Sequence, residues 1–179
     1  MVVGRPVHLH PRLREEVVAV RRRAGENPAM FRAKRILVPL DFSPTTDQVV
    51  RAAAGMARAS RGRLLLFHVF DRRAVEDVYN LHGLKAEEVR ARMKASAEAA
   101  IAKLGKRPWL KGVRTEVRFG SGLPPEEIVG AAESWKADLI VLSRRRRNGL
   151  AHLLYGRTSD AVVHDAPCAV LTLAPDRRS

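Results

Sequence analysis

The sequence predicts an α/β fold in which five parallel strands are covered by helices. From residue 34 onward, short apolar runs alternate with segments of helical periodicity, as in repeated βα units. An apolar fraction of 46% suffices for a packed core, and 29% charged residues of both signs are not typical of a disordered chain. A length of 179 residues suits one domain with a small extension.

Five apolar runs mark the expected strands. Helical segments separate them, so the expected topology is βαβαβαβαβ. The runs are residues 36–40, 64–69, 113–119, 139–142 and 169–173.

Capping residues delimit the expected helices between these runs. Ser43 and Pro44 suit the N-cap and first position of the first helix. After the turn Gly120–Gly122, prolines and acidic residues suit the first turn of the third helix. Pro167 cannot continue the fourth. The four helices are expected at residues 43–60, 84–104, from 124 onward and 149–164.

A basic extension, residues 1–33, precedes the expected domain at residues 34–176. Residues 1–35 hold nine Lys or Arg against three Glu. Apolar residues at helical spacing predict one short helix within this arm. Such a helix either covers an exposed edge of the body or docks on an anionic partner. The periodic residues are Leu13, Val17, Val20 and Ala24.

The positive charge of the chain is local rather than uniform. The net charge is +14, and Arg144–Arg147 alone contribute four positive charges. Clustered positive charge of this kind is typical of proteins that bind polyanions, so binding of nucleic acid or another polyanion is one hypothesis. An aromatic content of 5% and the lack of a recognised DNA-reading motif weigh against it.

Composition also bears on the compartment. One Cys excludes a disulfide framework within the chain. The sequence offers neither a secretory signal nor an apolar stretch of about 20 residues that would cross a bilayer. We therefore expect a cytoplasmic protein without a membrane segment.

Chemistry in such a fold is expected beyond the carboxyl ends of the strands, where the strand order reverses. Asp41 directly follows the first apolar run. Its carboxylate either accepts hydrogen bonds from ribose hydroxyls or caps the turn before the first helix, and position alone leaves both open. His68 is expected to be a hydrogen-bonded sheet histidine rather than a catalyst. No residue pattern indicates a catalytic or metal site.

Three segments carry a resemblance to a known family. They read RILVPLDFSP from residue 35, LLLFHVFD from residue 64 and ADLIVLSRRRRNGLAHLLYGRTSDAVVHDAPCAVLTL from residue 137. Over residues 34–174 the chain resembles the universal stress protein family. This resemblance implies a Rossmann-like, adenine nucleotide alpha hydrolase-like sheet of five parallel strands with helices on both faces. It also implies no established catalytic activity for most members, so we expect a non-enzymatic protein. A nucleotide hydrolase is a further hypothesis, but the sequence offers no clear general base or Mg²⁺ ligand pair for it.

The ATP-binding members of that family hold phosphates on a loop of the form Gly, two residues, Gly, nine residues, Gly, then Ser or Thr. The four positions fall on Ser143, Arg146, Gly156 and Arg157, so only the third element is retained. At residue 146 an arginine side chain replaces a glycine that would let the backbone approach the phosphate closely. This argues against the phosphate-binding loop usual in the family. Arginine is itself a good phosphate ligand, so an altered site stays open.

The base end of the family's nucleotide site is better matched. By resemblance, Asp41 and Val69 occupy the positions that hold ribose and adenine. The cofactor expectation is therefore ATP or another adenine nucleotide at an altered site, or no ligand at all.

The resemblance further implies a homodimer that pairs through the last strand. The protein is thus expected to be a dimeric, non-enzymatic stress-response protein that acts through protein partners and nucleotide binding. The alternative is a polyanion binder that uses the basic arm and Arg144–Arg147. The expected dimer interface comprises Ala169, Val170, Leu171, Thr172 and Leu173.

Overall fold

A computed structural model describes residues 17–21, 33–73, 85–143 and 157–173. Within these residues the chain forms six strands, four α-helices and a short 3-10 helix at Pro108–Leu110. The strands are β1 (Val17–Arg21), β2 (Arg35–Leu40), β3 (Arg63–Asp71), β4 (Arg114–Gly122), β5 (Leu139–Ser143) and β6 (Ala169–Leu173). The helices are α1 (Thr46–Ser60), α2 (Ala86–Gly105), α3 (Pro124–Ser134) and α4 (Arg157–Asp165).

One mixed sheet, in the order β1-β6-β5-β2-β3-β4, organises the described residues. Strands β2 to β6 run parallel to one another, which confirms the predicted five-stranded parallel sheet. Each of the five predicted apolar runs overlaps one of these strands. The fold is Rossmann-like, because successive βα units wind to both sides of a central strand pair.

The prediction of a helix around residues 13–24 is wrong for residues 17–21, which form β1. This strand pairs antiparallel with β6, with a bulge between Val17 and Ala19. A five-residue Val-rich stretch is compatible with a strand as well as with a helix. Pairing with the open edge of β6 favours the strand. Covering an edge of the body was one of the two roles expected of the arm, and β1 does so.

The turn predicted at residues 120–122 is also wrong. These residues continue β4, and Gly120 and Gly122 lie opposite Val69 and Asp71 of β3. Cross-strand pairing with the long β3 extends the ladder past the point at which glycines favoured a turn.

Two apolar layers pack on opposite faces of the sheet. On one face the alanine-rich side of α1 lies against alternate residues of β2 and β3. On the other, α3 and α4 cover the intervening residues, such as Leu37 and Leu65. Helices on both faces were predicted, and the small side chains Ala53, Ala54 and Ala57, at most 1% exposed, let α1 lie close to the sheet.

Among the helices in the described ranges, none combines the length and the apolar character needed to cross a membrane.

Candidate nucleotide-binding crevice

The strand order reverses between β2 and β5. Connections along the chain lead from β2 to β3 on one side, and from β5 to β6 on the other. Ile36 of β2 lies opposite Leu139 of β5. At that register the last residues of the two strands, Leu40 and Ser143, end at the same level. A crevice that suits a ligand therefore opens beyond these two ends, with Asp41 and Ser143 at its sides.

The Asp41 carboxylate organises the turn that leaves β2. Its Oδ1 accepts a hydrogen bond from the Ser43 backbone N–H at 3.0 Å and one from the Thr46 hydroxyl at 3.3 Å. The turn-capping interpretation of Asp41 is thus confirmed, and its ribose role stays a prediction. The carboxylate nevertheless lies on an exposed residue at the crevice.

Capping by Asp41 also moves the start of the first helix. The prediction that Ser43 is the N-cap is wrong, since the N-cap is Thr45 and α1 begins at Thr46. Residues 41–43 are engaged in the Asp41 turn, and the Ser43 carbonyl accepts the Thr46 N–H at 3.0 Å. The helix therefore starts later than its capping residues indicate.

The residues on either side of Asp41 are held by His68 of β3. Nδ1 of His68 donates to the Leu40 carbonyl at 2.8 Å, so this nitrogen carries the proton. The imidazole also packs against the Phe42 ring, with centroids 4.7 Å apart. His68 is a hydrogen-bonded sheet histidine, as predicted.

Phe42 has a backbone conformation that sequence reasoning missed. Its φ of 53° lies in the left-handed region, which a bulky residue adopts only at a cost of about 1–3 kcal/mol. Its contact with His68 and the packing of its ring against the α1 layer maintain that conformation. Only the register that sets Leu40 opposite His68 reveals this arrangement.

Val69 lies at the same level as Asp41. Leu40 is opposite His68 in the β2–β3 ladder, so the next residue on each strand, Asp41 and Val69, follow side by side. Val69 is half-buried and packs on the face covered by α3 and α4. The structure therefore brings the two residues of the predicted base end to one edge of the sheet.

The predicted phosphate end is described only at its two limits. Ser143 is the half-buried last residue of β5, and Arg157 is the first residue of α4. Arg146 and Gly156 lie outside the described residues, as does the arginine run. α4 leads directly into β6, so the start of α4 lies at the edge of the sheet where the parallel strands end.

Asp71, at the carboxyl end of β3, is engaged by a neighbouring arginine. Arg73 donates from Nε to Oδ1 at 3.0 Å and from Nη2 to Oδ2 at 2.7 Å. These hydrogen bonds lower the pKa of the Asp71 carboxyl below its ordinary value. In the described part of the chain, no group of three or more His, Cys, Asp or Glu side chains has the arrangement of a metal site.

Comparison with known proteins identifies relatives along most of the chain. A family model described as "Universal stress protein family" matches residues 32–173. A universal stress protein of Thermus aquaticus, named for its place in the QAH/OAS sulfhydrylase 3' region, is 32% identical over 139 residues. That match covers 77% of this chain and 96% of the relative.

Solved structures share the fold. Universal stress protein UspA from Lactobacillus plantarum aligns with a TM-score of 0.58 at 23% identity, covering 80% of this chain and 99% of that one. A universal stress protein solved in complex with cAMP aligns with a TM-score of 0.52 at 21% identity, covering 79% and 97%. At these identities the likeness extends to the fold alone.

Proposed function

We propose, because the chain belongs to the universal stress protein family, that it is a non-enzymatic cytoplasmic stress-response protein that binds an adenine nucleotide. The ligand, ATP or another adenine nucleotide, occupies the crevice between the carboxyl ends of β2 and β5. Binding of the nucleotide there alters the interaction of this protein with its protein partners.

The observation that carries this proposal is the placement of Asp41. Its exposed carboxylate is held at the strand-order reversal by Ser43 and Thr46, and the residues beside it are held by His68. A pre-positioned acceptor at this edge suits ribose hydroxyls, because little is lost in ordering it when the ligand binds. The cAMP complex of a protein with the same fold supports an adenine nucleotide as the ligand class.

At the phosphate end, arginine side chains replace the glycine backbone of the family's loop. Arg146 stands at a position that resembles the second glycine, and a guanidinium supplies paired N–H donors that match phosphate oxygens. The same replacement leaves no intact phosphate loop to position a phosphoryl group for transfer, which supports the non-enzymatic role.

Calorimetric titration of three single variants with ATP and with adenosine tests the two ends separately. Asp41→Asn keeps an acceptor oxygen for the turn but removes the charge, so this variant is expected to weaken both ligands about tenfold. Arg146→Ala is expected to weaken ATP by a similar factor and leave adenosine unchanged. The control is Glu133→Gln, at an exposed carboxylate near the end of α3 and away from the crevice.

Two results would contradict the proposal. Absence of heat with wild-type protein, with or without Mg²⁺, would mean that the crevice binds no nucleotide and that protein partners alone define the function. Steady phosphate release that Asp41→Asn abolishes would instead indicate a nucleotide hydrolase.

The homodimer through Ala169–Leu173 also remains a proposal. The resemblance supports it, but in this chain β1 is paired to the outer edge of that strand. Dimerisation through Ala169–Leu173 therefore requires that β1 leave this edge.

The alternative function is binding of nucleic acid or another polyanion. The net charge of +14, with nine Lys or Arg in residues 1–35 and four more at Arg144–Arg147, favours it. Its test is the salt dependence of binding to a short DNA duplex.

A further inference from the structure

We infer that β1 is a built-in competitor for self-association, because it occupies the backbone edge of β6 that a second copy of this chain would pair with. This inference rests on the proposed dimer and is independent of nucleotide binding. β6 is bonded to β5 on one side and to β1 on the other. Both of its edges are therefore filled within one chain.

Docking of β1 and pairing of two β6 strands exclude each other. Every second residue of a strand turns its N–H and C=O to one edge, and these groups make one set of ladder hydrogen bonds. In β1, Val20 and Arg21 lie opposite Leu171 and Val170. A second copy would need the same outward groups of β6.

The composition of β6 explains why its outer edge tends to pair with another strand and which strand would pair with it in the absence of β1. Ala169–Leu173 contains no charge and no proline, and with β1 docked none of its residues is more than 4% exposed. An uncovered apolar edge without such protection pairs readily with another strand. Two antiparallel copies of β6 are self-complementary about a two-fold axis, so the partner is a second copy of this chain.

The connection between β1 and β2 is long enough for docking within one chain. Thirteen residues, 22–34, separate Arg21 from Arg35, and β1 lies three strand positions from β2. That separation is about 14 Å, whereas thirteen extended residues reach about 43 Å. A tether of this length holds β1 at an effective concentration on the order of millimolar, well above a second copy at micromolar concentration.

Competition of this kind acts twice on dimer formation, because both copies must release β1. If β1 is docked about nine times in ten, the competent fraction is about one tenth, and the apparent dissociation constant of the dimer rises about a hundredfold. Any partner that draws β1 away would thus promote dimerisation of the domain.

The first experiment disables β1 in the full-length chain. In Ala19→Pro with Val20→Pro, one of the two lost N–H groups must face β6, because neighbouring residues alternate. Sedimentation equilibrium without nucleotide is expected to show self-association at least tenfold tighter than wild type. The matched control is Val2→Pro with Val3→Pro, two valines outside β1, which is expected to behave as wild type. A proline variant that associates no more tightly than wild type overturns the inference.

The second experiment locks β1 in place and remains decisive if the proline variant unfolds. Ala19 lies opposite Thr172, and opposed residues in antiparallel strands suit a disulfide. Among the described residues the Thr172 hydroxyl is buried and finds no hydrogen-bond partner, so Thr172→Cys loses no bond. Ala19→Cys and Thr172→Cys are combined with Cys168→Ala, which leaves only the new pair.

The expected result is a disulfide within one chain that keeps the protein monomeric at concentrations where the reduced form begins to associate. Non-reducing electrophoresis distinguishes it from a disulfide between two chains. A disulfide-linked dimer would overturn the inference, because β1 would then be exchanged between copies rather than compete with them. Nucleotide titrations of the same variants report separately on the crevice.

Discussion

Gly120 lets β4 pass close to two side chains that shape the end of the sheet. A Cβ at this position would lie 2.7 Å from Cζ of Phe67 and 2.8 Å from Oε2 of Glu127. Phe67 is 5% exposed, so any shift of its ring would disturb the packing around it. Close approach, rather than a turn, is therefore the reason for a glycine here.

Gly120→Ala is expected to destabilise the domain by about 1–3 kcal/mol, because the added methyl group overpacks against the Phe67 ring. Gly130→Ala is the matched control. A Cβ at Gly130 meets nothing within 4 Å, and the residue lies inside α3, so alanine there is expected to stabilise by roughly 0.5–1 kcal/mol. Urea unfolding of both variants measures the difference. Equal stabilities of the two would show that the contact with Phe67 is not restrictive.

At the scale of elements, Asp138 joins the amino ends of β2 and β5. Its Oδ2 accepts the backbone N–H groups of Lys34 at 3.0 Å and Arg35 at 2.8 Å. Its own N–H donates to the Arg35 carbonyl at 2.8 Å. The ladder between the two strands is short, with two register pairs, so this side chain extends their contact beyond the ladder. It thereby fixes the register that places Asp41 beside Ser143.

Asp138→Ala is expected to cost about 1–3 kcal/mol of unfolding free energy, because two backbone donors lose a charged acceptor. Asp138→Asn retains an acceptor oxygen and is expected to cost less than half as much. Urea midpoints at an unchanged m-value measure both effects. A loss below about 0.5 kcal/mol in the alanine variant would mean that water replaces the carboxylate without penalty.

For the whole molecule, the distribution of charge separates the two functional hypotheses. Most of the +14 net charge comes from residues 1–35 and Arg144–Arg147, and much of that charge falls outside the described residues. On the described body, acidic groups offset basic ones locally, as Asp71 does for Arg73. A polyanion would therefore bind to the basic segments, whereas a nucleotide would bind in the crevice.

Salt dependence distinguishes these modes. Under the proposed function, we expect weak binding of a short DNA duplex at low salt and its loss by physiological salt, while ATP binding persists. The slope of log affinity against log salt is about −0.9 for each phosphate neutralised, and fluorescence anisotropy measures it. Tight duplex binding at physiological salt, together with a steep slope, would favour the alternative.

The fold class, the family and the order of the five parallel strands along the chain could be predicted before the structure was known. Buried parallel strands require continuous apolar runs, such as those around Val38 and Ile140, and helices must separate them. These are local requirements that composition and spacing express directly. The candidate site was reached in two steps, because Asp41 directly follows an apolar run, whereas Val69 and Ser143 were assigned through the resemblance to the family.

Features that depend on a partner far along the chain could not be predicted and are seen only in the folded protein. β1 is a strand because β6 offers an open edge about 150 residues further along the chain. Phe42 adopts a left-handed conformation supported by a ring contact with His68, and Gly120 stays in β4 because β3 continues beside it. At such positions the alternative local conformations differ little in free energy, so a single long-range contact determines which one forms.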